Sequence, residues 1–146
     1  MIPTRVEAVH LAPIAELERA VFHAPWTKEA LALLTGESAL GFVVMQGEVA
    51  AAYGGMLCVL DEGQITNIAT HPDHRRRGYA RCVVEALLNA ARARGVCTVT
   101  LEVRESNAAA IALYEHFGFV TVGKRPRFYT HPTETALVMA LDLAGR

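Results

Sequence analysis

Ile65-Thr66-Asn67-Ile68-Ala69-Thr70-His71-Pro72, followed closely by Arg75-Arg76-Arg77-Gly78-Tyr79-Ala80, decides the fold class. Gln64–Thr70 reads as a strand. Pro72 closes it, because proline has no ladder donor and biases His71 away from helix. A basic turn follows, and then a helix in which Ala80, Val83, Val84, Leu87, Leu88 and Ala91 recur at the spacing of one buried face. A strand that runs through a glycine-containing turn into a buried helix is a unit of a sheet covered by helices.

The same reading extends in both directions. Upstream, Arg5–His10 is expected as a short strand and Pro13–Phe22 as a helix, with Ile14, Leu17 and Val21 at helical spacing. Thr27 is a natural N-cap for a second short helix ending near Gly36, with Trp26 and Leu31 in hydrophobic-staple positions. Leu40–Met45 and Val49–Val59 are expected strands joined by the turn Gln46-Gly47-Glu48, and Asp61-Glu62-Gly63 is expected as another turn. Downstream, Gly95 stops the long helix. Val96–Arg104 is a strand with Val99, Leu101 and Val103 on one side and Thr98, Thr100, Glu102 and Arg104 on the other. Asn107–Phe117 is a helix ended by Gly118, and Phe119–Lys124 and Thr135–Leu141 are late strands. The order is β-α-α-β-β-β-α-β-α-β-β, a mixed sheet with helices on its faces.

Bulk properties fit one packed domain over residues 1–146. The chain is 52% hydrophobic and 20% charged, with a formal net charge of −1. That charge supplies no global field toward nucleic acid or an anionic membrane. The opening residues carry Glu7, Glu16, Glu18 and Arg19 among apolar positions, which does not suit a secretory signal, and no apolar run reaches the ~20 residues of a membrane helix. Cys58, Cys82 and Cys97 are odd in number and scattered, so they read as buried small hydrophobes in a reducing cytoplasm rather than as disulfides or a zinc site. His71 and His74 straddle Pro72 without an evident third ligand, so no metal is expected.

Two features carry chemistry. Arg75–Ala80 joins a strand end to a helix N-terminus, where unpaired N–H groups and the helix dipole attract phosphate and Gly78 permits close approach. A solvated basic helix start is the competing reading. No Gly-Lys-Ser/Thr follows, so a Walker A loop is excluded, and a single glycine does not make a Rossmann fingerprint. The arginines lack interleaved aromatics, so nucleic acid is not the expected partner. The second feature is Glu102 together with Asn107 and Tyr114. Glu102 faces away from Leu101 and Val103, and a half-buried carboxylate is costly unless paired or used. Asn107 and Tyr114 are seven apart on one helix and share a face. On spacing alone, Glu102 also reads as an edge carboxylate paired with Arg104 or another surface cation, and Tyr114 reads more readily as a core tyrosine with its hydroxyl at the rim.

Taken together and in order, Pro25-Trp26, Ile65–Pro72, Arg75–Ala80, Leu101–Asn107, Leu113-Tyr114, Phe117-Gly118-Phe119 and Ala136–Leu141 resemble the GNAT acetyltransferase superfamily. Within it, the resemblance is to the branch that acetylates the N-terminal alanine of small-subunit ribosomal protein 18. It implies an α/β (α+β) fold: a single mixed, mostly antiparallel, twisted sheet with helices on both faces and a splayed central strand pair. It also implies acetyl-CoA as cosubstrate and a protein N-terminus as acceptor. Arg75, Gly78 and Ala80 match the pyrophosphate loop, whose segment also holds Arg76, Arg77 and Tyr79. Main-chain groups of Ile68, Ala69 and Thr70 match the strand that pairs with the pantetheine arm, and Asn107 matches the cofactor-contacting asparagine. Glu102 matches the proton acceptor and Tyr114 the proton donor, while Trp26, Arg125 and Tyr129 fall where the acceptor groove is expected. The sequence departs from that branch at Phe128, where a second tyrosine is usual, and at Glu134-Thr135, where an acidic pair is usual. Those departures leave open another amine as acceptor: a lysine side chain, a different protein N-terminus or a small molecule.

Overall fold

A computed structural model describes residues 2–145. The elements are β1 (Thr4–Arg5), α1 (Leu11–Val21), α2 (Lys28–Leu31), β2 (Ala39–Gln46), β3 (Val49–Val59), β4 (Glu62–Thr70), α3 (Tyr79–Ala93), β5 (Thr98–Arg104), α4 (Ala108–His116), β6 (Val120–Tyr129) and β7 (Glu134–Asp142). Short 3-10 turns lie at Ala8–His10, Ala32–Thr35 and Pro72–His74. The seven strands form one sheet in the order β1-β2-β3-β4-β5-β7-β6. Every neighbouring pair is antiparallel except β4 and β5.

Helices cover both faces, and each face has its own apolar core. On one, α3 and α4 pack on Leu40, Val44, Met56, Leu101 and Met139. On the other, Ile14, Leu17, Leu31 and Leu34 pack on Val43 and Tyr53. The first contact is tight. A Cβ on Gly54 would sit 2.6 Å from Ile68 Cδ1 and 2.7 Å from Val83 Cγ1, so glycine at that point lets α3 rest directly on β3.

The structure revises several sequence expectations. Only Thr4–Arg5 of the first strand pairs, with Val43 and Phe42. Reciprocal bonds between Glu7 and His10, including Glu7 N–H to His10 Nδ1 at 2.9 Å, turn the chain into the helix. That helix starts at Leu11, and Pro13 is tolerated because the first turn needs no intrahelical donor. The turn expected at Asp61–Gly63 falls one step earlier: Val59 pairs with Glu62, and Leu60 takes a positive φ of 56°. Tyr79, not Ala80, is the fully buried residue at the start of α3. Of the cysteines only Cys58 is buried. Cys82 lies beside the buried face of α3 rather than on it. β6 runs on to Tyr129 past Pro126, which falls in the irregular stretch between the pairs Arg125↔Ala136 and Tyr129↔Glu134, where the ladder takes no donor from it. Among the described residues, no helix is long and apolar enough to cross a membrane.

Leu87 is fully buried where α3 meets β3. Leu87→Ala is expected to destabilise the fold by about 2–5 kcal/mol, through lost burial and the cavity left behind. The check is urea unfolding, with a lower midpoint and an unchanged slope.

Candidate active site

β4 and β5 pair only over Glu62↔Thr98, Gly63↔Val99 and Gln64↔Thr100. Beyond Gln64 the strands part, and among the described residues β5 supplies no ladder partner to Ile65–Thr70. The parting coincides with a bulge. Gly55 pairs with Asn67 and Met56 with Ile65, so the β3–β4 ladder skips Thr66. A bulge bends its strand and re-aims side chains. Ile68, Ala69 and Thr70 thus present an unpaired strand edge, the kind that accepts an extended ligand by strand addition.

The parted strand leads into the basic turn. Arg75, Arg76, Arg77 and Gly78 are all exposed. Arg76 and Gly78 take left-handed φ values of 65° and 77°. Gly78 is the N-cap of α3, so no side chain caps the helix and its first N–H groups are open to an external acceptor. Among the described residues, no heavy atom lies within 4 Å of where a Gly78 Cβ would be, so this glycine is demanded by backbone conformation and leaves space above the helix end. The turn and the open helix end suit an anion such as a phosphate, and the unpaired edge suits an extended chain. Tyr79 points elsewhere: its ring is buried, and its hydroxyl accepts from Gln46 Nε2 at 2.8 Å. It contributes backbone to the turn and its ring to the core.

Across the gap, Glu102 Oε1 accepts from Gln64 Nε2 at 3.1 Å, and Oε2 lies 3.5 Å from Arg125 Nε. The partner is therefore Arg125 rather than the adjacent Arg104. Arg104 serves the β6–β7 connection instead. It donates to Thr130 O at 2.8 Å and Pro132 O at 2.9 Å, pairs with Glu134 at 3.1 Å, and lies over the Tyr129 ring at 4.5 Å. Tyr114 is buried near the end of α4, its ring edge-on to Phe119. Burial, reinforced by the neighbouring Tyr129 hydroxyl, pushes the Tyr114 hydroxyl well above its ordinary value. Tyr129 is raised too, first by burial and then by the Glu102 charge, with Arg104 opposing. Tyr129 thus feels the Glu102 charge on one side and reinforces the shift of Tyr114 on the other, and both phenols remain protonated donors. Asn107 is the N-cap of α4, its Oδ1 accepting the Ala110 N–H at 3.1 Å, and is exposed at the other end of the helix from Tyr114. Trp26 is half-buried against the α1 core. Phe128 is exposed and edge-on to Tyr129.

Residues 11–119 match the acetyltransferase (GNAT) family. The chain belongs to the GNAT acetyltransferase family. It is 39% identical over 141 residues to the [ribosomal protein bS18]-alanine N-acetyltransferase of Escherichia coli K12, covering 95% of both chains. It is 35% identical over 146 residues to the protein of the same name from Haemophilus ducreyi, covering 98% of this chain and all of the other. Its fold superposes on the crystal structure of the E. coli ribosomal-protein-S18-alanine N-acetyltransferase with a TM-score of 0.88, at 38% identity over 97% of this chain and 92% of that one. An aminoglycoside 6'-acetyltransferase type Ii superposes with a TM-score of 0.84 at 15% identity, over 100% of this chain and 99% of that one, a likeness of fold alone. The chain is accordingly an N-acetyltransferase built on a seven-stranded, mostly antiparallel sheet.

Sequence reasoning gave no role to Glu18, Tyr53, Asn67 or Gln64; Glu134 entered it only as what remains of an acidic pair opening the last strand, and Arg104 only as a partner for Glu102. For Glu18 a signal was present: it falls within the apolar stripe Ile14-Leu17-Val21 of α1, where a carboxylate is out of place.

Glu134 ties the β7 start to the loop before α4, its Oε2 accepting the Ser106 N–H at 2.6 Å. Hydrogen bonding from Ser106, with help from Arg104, holds its carboxyl below the ordinary value. A lowered folded-state pKa means stabilisation that is complete above the unfolded value and fades as pH falls through the folded one. Glu134→Gln is therefore expected to lower Tm at neutral pH, and the gap from wild type should shrink as pH drops below about 4.5. Thermal melts across pH 3–7 check it.

Proposed function

We propose that this acetyltransferase moves the acetyl group of acetyl-CoA to the α-amine of a protein N-terminus, the N-terminal alanine of the small-subunit ribosomal protein bS18. Residues 1–146 act in this as one catalytic domain. The observation that carries the acceptor assignment is the end-to-end relationship to bS18-alanine acetyltransferases. A ribosomal acceptor implies a cytoplasmic enzyme, in keeping with three free thiols.

Acetyl-CoA supplies the acetyl group as a thioester whose sulfur must leave with a proton. Arg75, Arg76 and Arg77, with the backbone of Gly78, Tyr79 and Ala80, hold its pyrophosphate. The main chain of Ile68, Ala69 and Thr70 takes its amide arm as an added strand, and Asn107 contacts it from the start of α4. An α-amine has a reference pKa of ~8 and is mostly protonated near neutrality, so it must lose a proton before attack. Glu102 takes that proton, directly or through water. Backbone N–H groups on the parted strand stabilise the charge that develops on the carbonyl oxygen. Tyr114, kept protonated by burial, donates to the departing sulfur. From its protonated form the amine loses two protons, one to Glu102 before attack and one as the tetrahedral adduct collapses; the sulfur takes one from Tyr114, which is then reprotonated, so one proton leaves to solvent and no acyl-enzyme is needed. Trp26, Arg125 and Tyr129 line the acceptor side. Arg125 must move off the Glu102 carboxylate, or share it, when a cationic N-terminus arrives.

Glu102→Gln and Tyr114→Phe are each expected to lower kcat by about 10²–10⁴-fold while CoA affinity stays near wild type. Steady-state turnover and CoA titration check this, and wild-type turnover in both variants would overturn the assignment. The acceptor is tested with peptides beginning Ala, Ser, Gly or Met and a blocked peptide bearing an internal lysine. The α-amine of the alanine peptide should react fastest. Transfer confined to the lysine or to small amines would overturn the N-terminal reading.

A further inference from the structure

Among the described residues, Glu18 is the one fully buried charged side chain, with no solvent exposure. Burying a carboxylate costs several kcal/mol even after relaxation, and an apolar residue would suit this stripe of α1 better. Its contacts explain where it points. Oε1 accepts the Trp26 N–H at 2.8 Å. Oε2 accepts the Tyr53 hydroxyl and, at 2.9 Å, Asn67 Nδ2. Every partner is a donor, which is what an acceptor-only carboxylate needs. Burial and the Glu18 charge raise the Tyr53 hydroxyl, which keeps it a donor.

The geometry of these contacts is specific. The bulge at Thr66 turns two successive side chains, Thr66 and Asn67, onto the α1 face. Thr66 Oγ1 lies beside Leu34, 2.9 Å from where a Gly55 Cβ would be, and Asn67 reaches Glu18. Asn67 is the first residue after the bulge, three positions past the last β4–β5 pair at Gln64. Glu18 thus grips β4 just after it leaves β5 and just before Ile68–Thr70. The other oxygen grips the main chain of Trp26, in the segment between α1 and α2. One buried carboxylate fixes the parted strand and that segment to a common point.

We propose that Glu18, acting through Asn67 and the Trp26 backbone, is a positioning residue for acetyl transfer: it sets the separation between the acyl-bearing strand edge and the acceptor wall. The inference rests on the proposed function for those two surfaces. Glu18 touches neither substrate, so its effect is on alignment, where a displacement of about 1 Å can cost about 10²-fold in rate.

The test uses the full chain with Asn67→Asp, Asn67→Ala and the pair Glu18→Gln with Asn67→Asp. Asn67→Asp sets a second carboxylate against Glu18 and pushes β4 off its course. Adding Glu18→Gln supplies an amide donor to the new aspartate and returns the network to a single negative charge. Expected is a kcat loss of about 10–100-fold per folded molecule in Asn67→Asp and Asn67→Ala. The paired variant should recover most of kcat relative to Asn67→Asp, while KM for the peptide moves less than kcat. Assays run well below each variant's Tm separate alignment from stability. Amide hydrogen exchange at Trp26 and across Ile65–Thr70 should quicken in both single variants and slow again in the pair. Wild-type kcat in folded Asn67→Ala, or exchange that ignores the pairing, would overturn the inference. The exchange comparison needs no turnover, so a wild-type protein that transferred no acetyl would overturn the proposed function while this readout still decided the role of Glu18.

Discussion

After Gln64, β4 turns away from β5, and the backbone on that side of Ile65–Thr70 is left without a strand partner. Unpaired strand backbone in the middle of a sheet is costly unless something else pairs with it. The fold holds the gap open by three means. The bulge at Thr66 bends the strand, Asn67 binds the buried Glu18 carboxylate, and Ile68 packs with Val83 and Leu87 under α3 on the opposite face. β5 is held from its other side by a full ladder with β7, from Thr98↔Asp142 to Arg104↔Ala136, and so cannot follow β4. The gap is thus a consequence of strong pairing on both flanks and interrupted pairing between them.

The charged groups are distributed unevenly around that gap. The arginines of the turn sit at the end of β4, where α3 begins with a glycine cap and open N–H groups. Glu102 lies on β5 beside Arg125, with Arg104 bracing the β6–β7 connection and stacking on Tyr129. Under the proposed chemistry, the anionic end of the thioester and the protonated amine are received by opposite charges at opposite ends of one slot. Burial of Tyr114, edge-on to Phe119, keeps that phenol neutral.

Much of this was legible in the sequence. Periodicity predicted the element order, and the linked motifs around Arg75–Ala80, Glu102 and Tyr114 implied the family that the relatives then showed. What was not legible has a common physical cause. The bulge at Thr66 breaks the two-residue alternation on which strand reading depends, so Asn67 looked like one more strand residue. Glu18 is a carboxylate whose partners lie 35 and 49 positions away in sequence, at Tyr53 and Asn67, which local spacing cannot reveal. Arg104 was weighed only as a partner for Glu102, yet it holds the Glu134 carboxylate and main-chain oxygens of a late loop. The Tyr79 side chain takes no part in the turn, because its position on α3 sends the ring into the core.

The unpaired edge of β4 is the proposed seat of the acyl donor. Amide hydrogen exchange of the wild-type chain, measured with and without saturating CoA, reads that edge residue by residue. The predicted result is that exchange slows at Ile68–Thr70 and through Gly78–Arg81 on CoA addition, while the β6–β7 ladder is unaffected. CoA binding that protects other segments and leaves Ile68–Thr70 exchanging as before would contradict it.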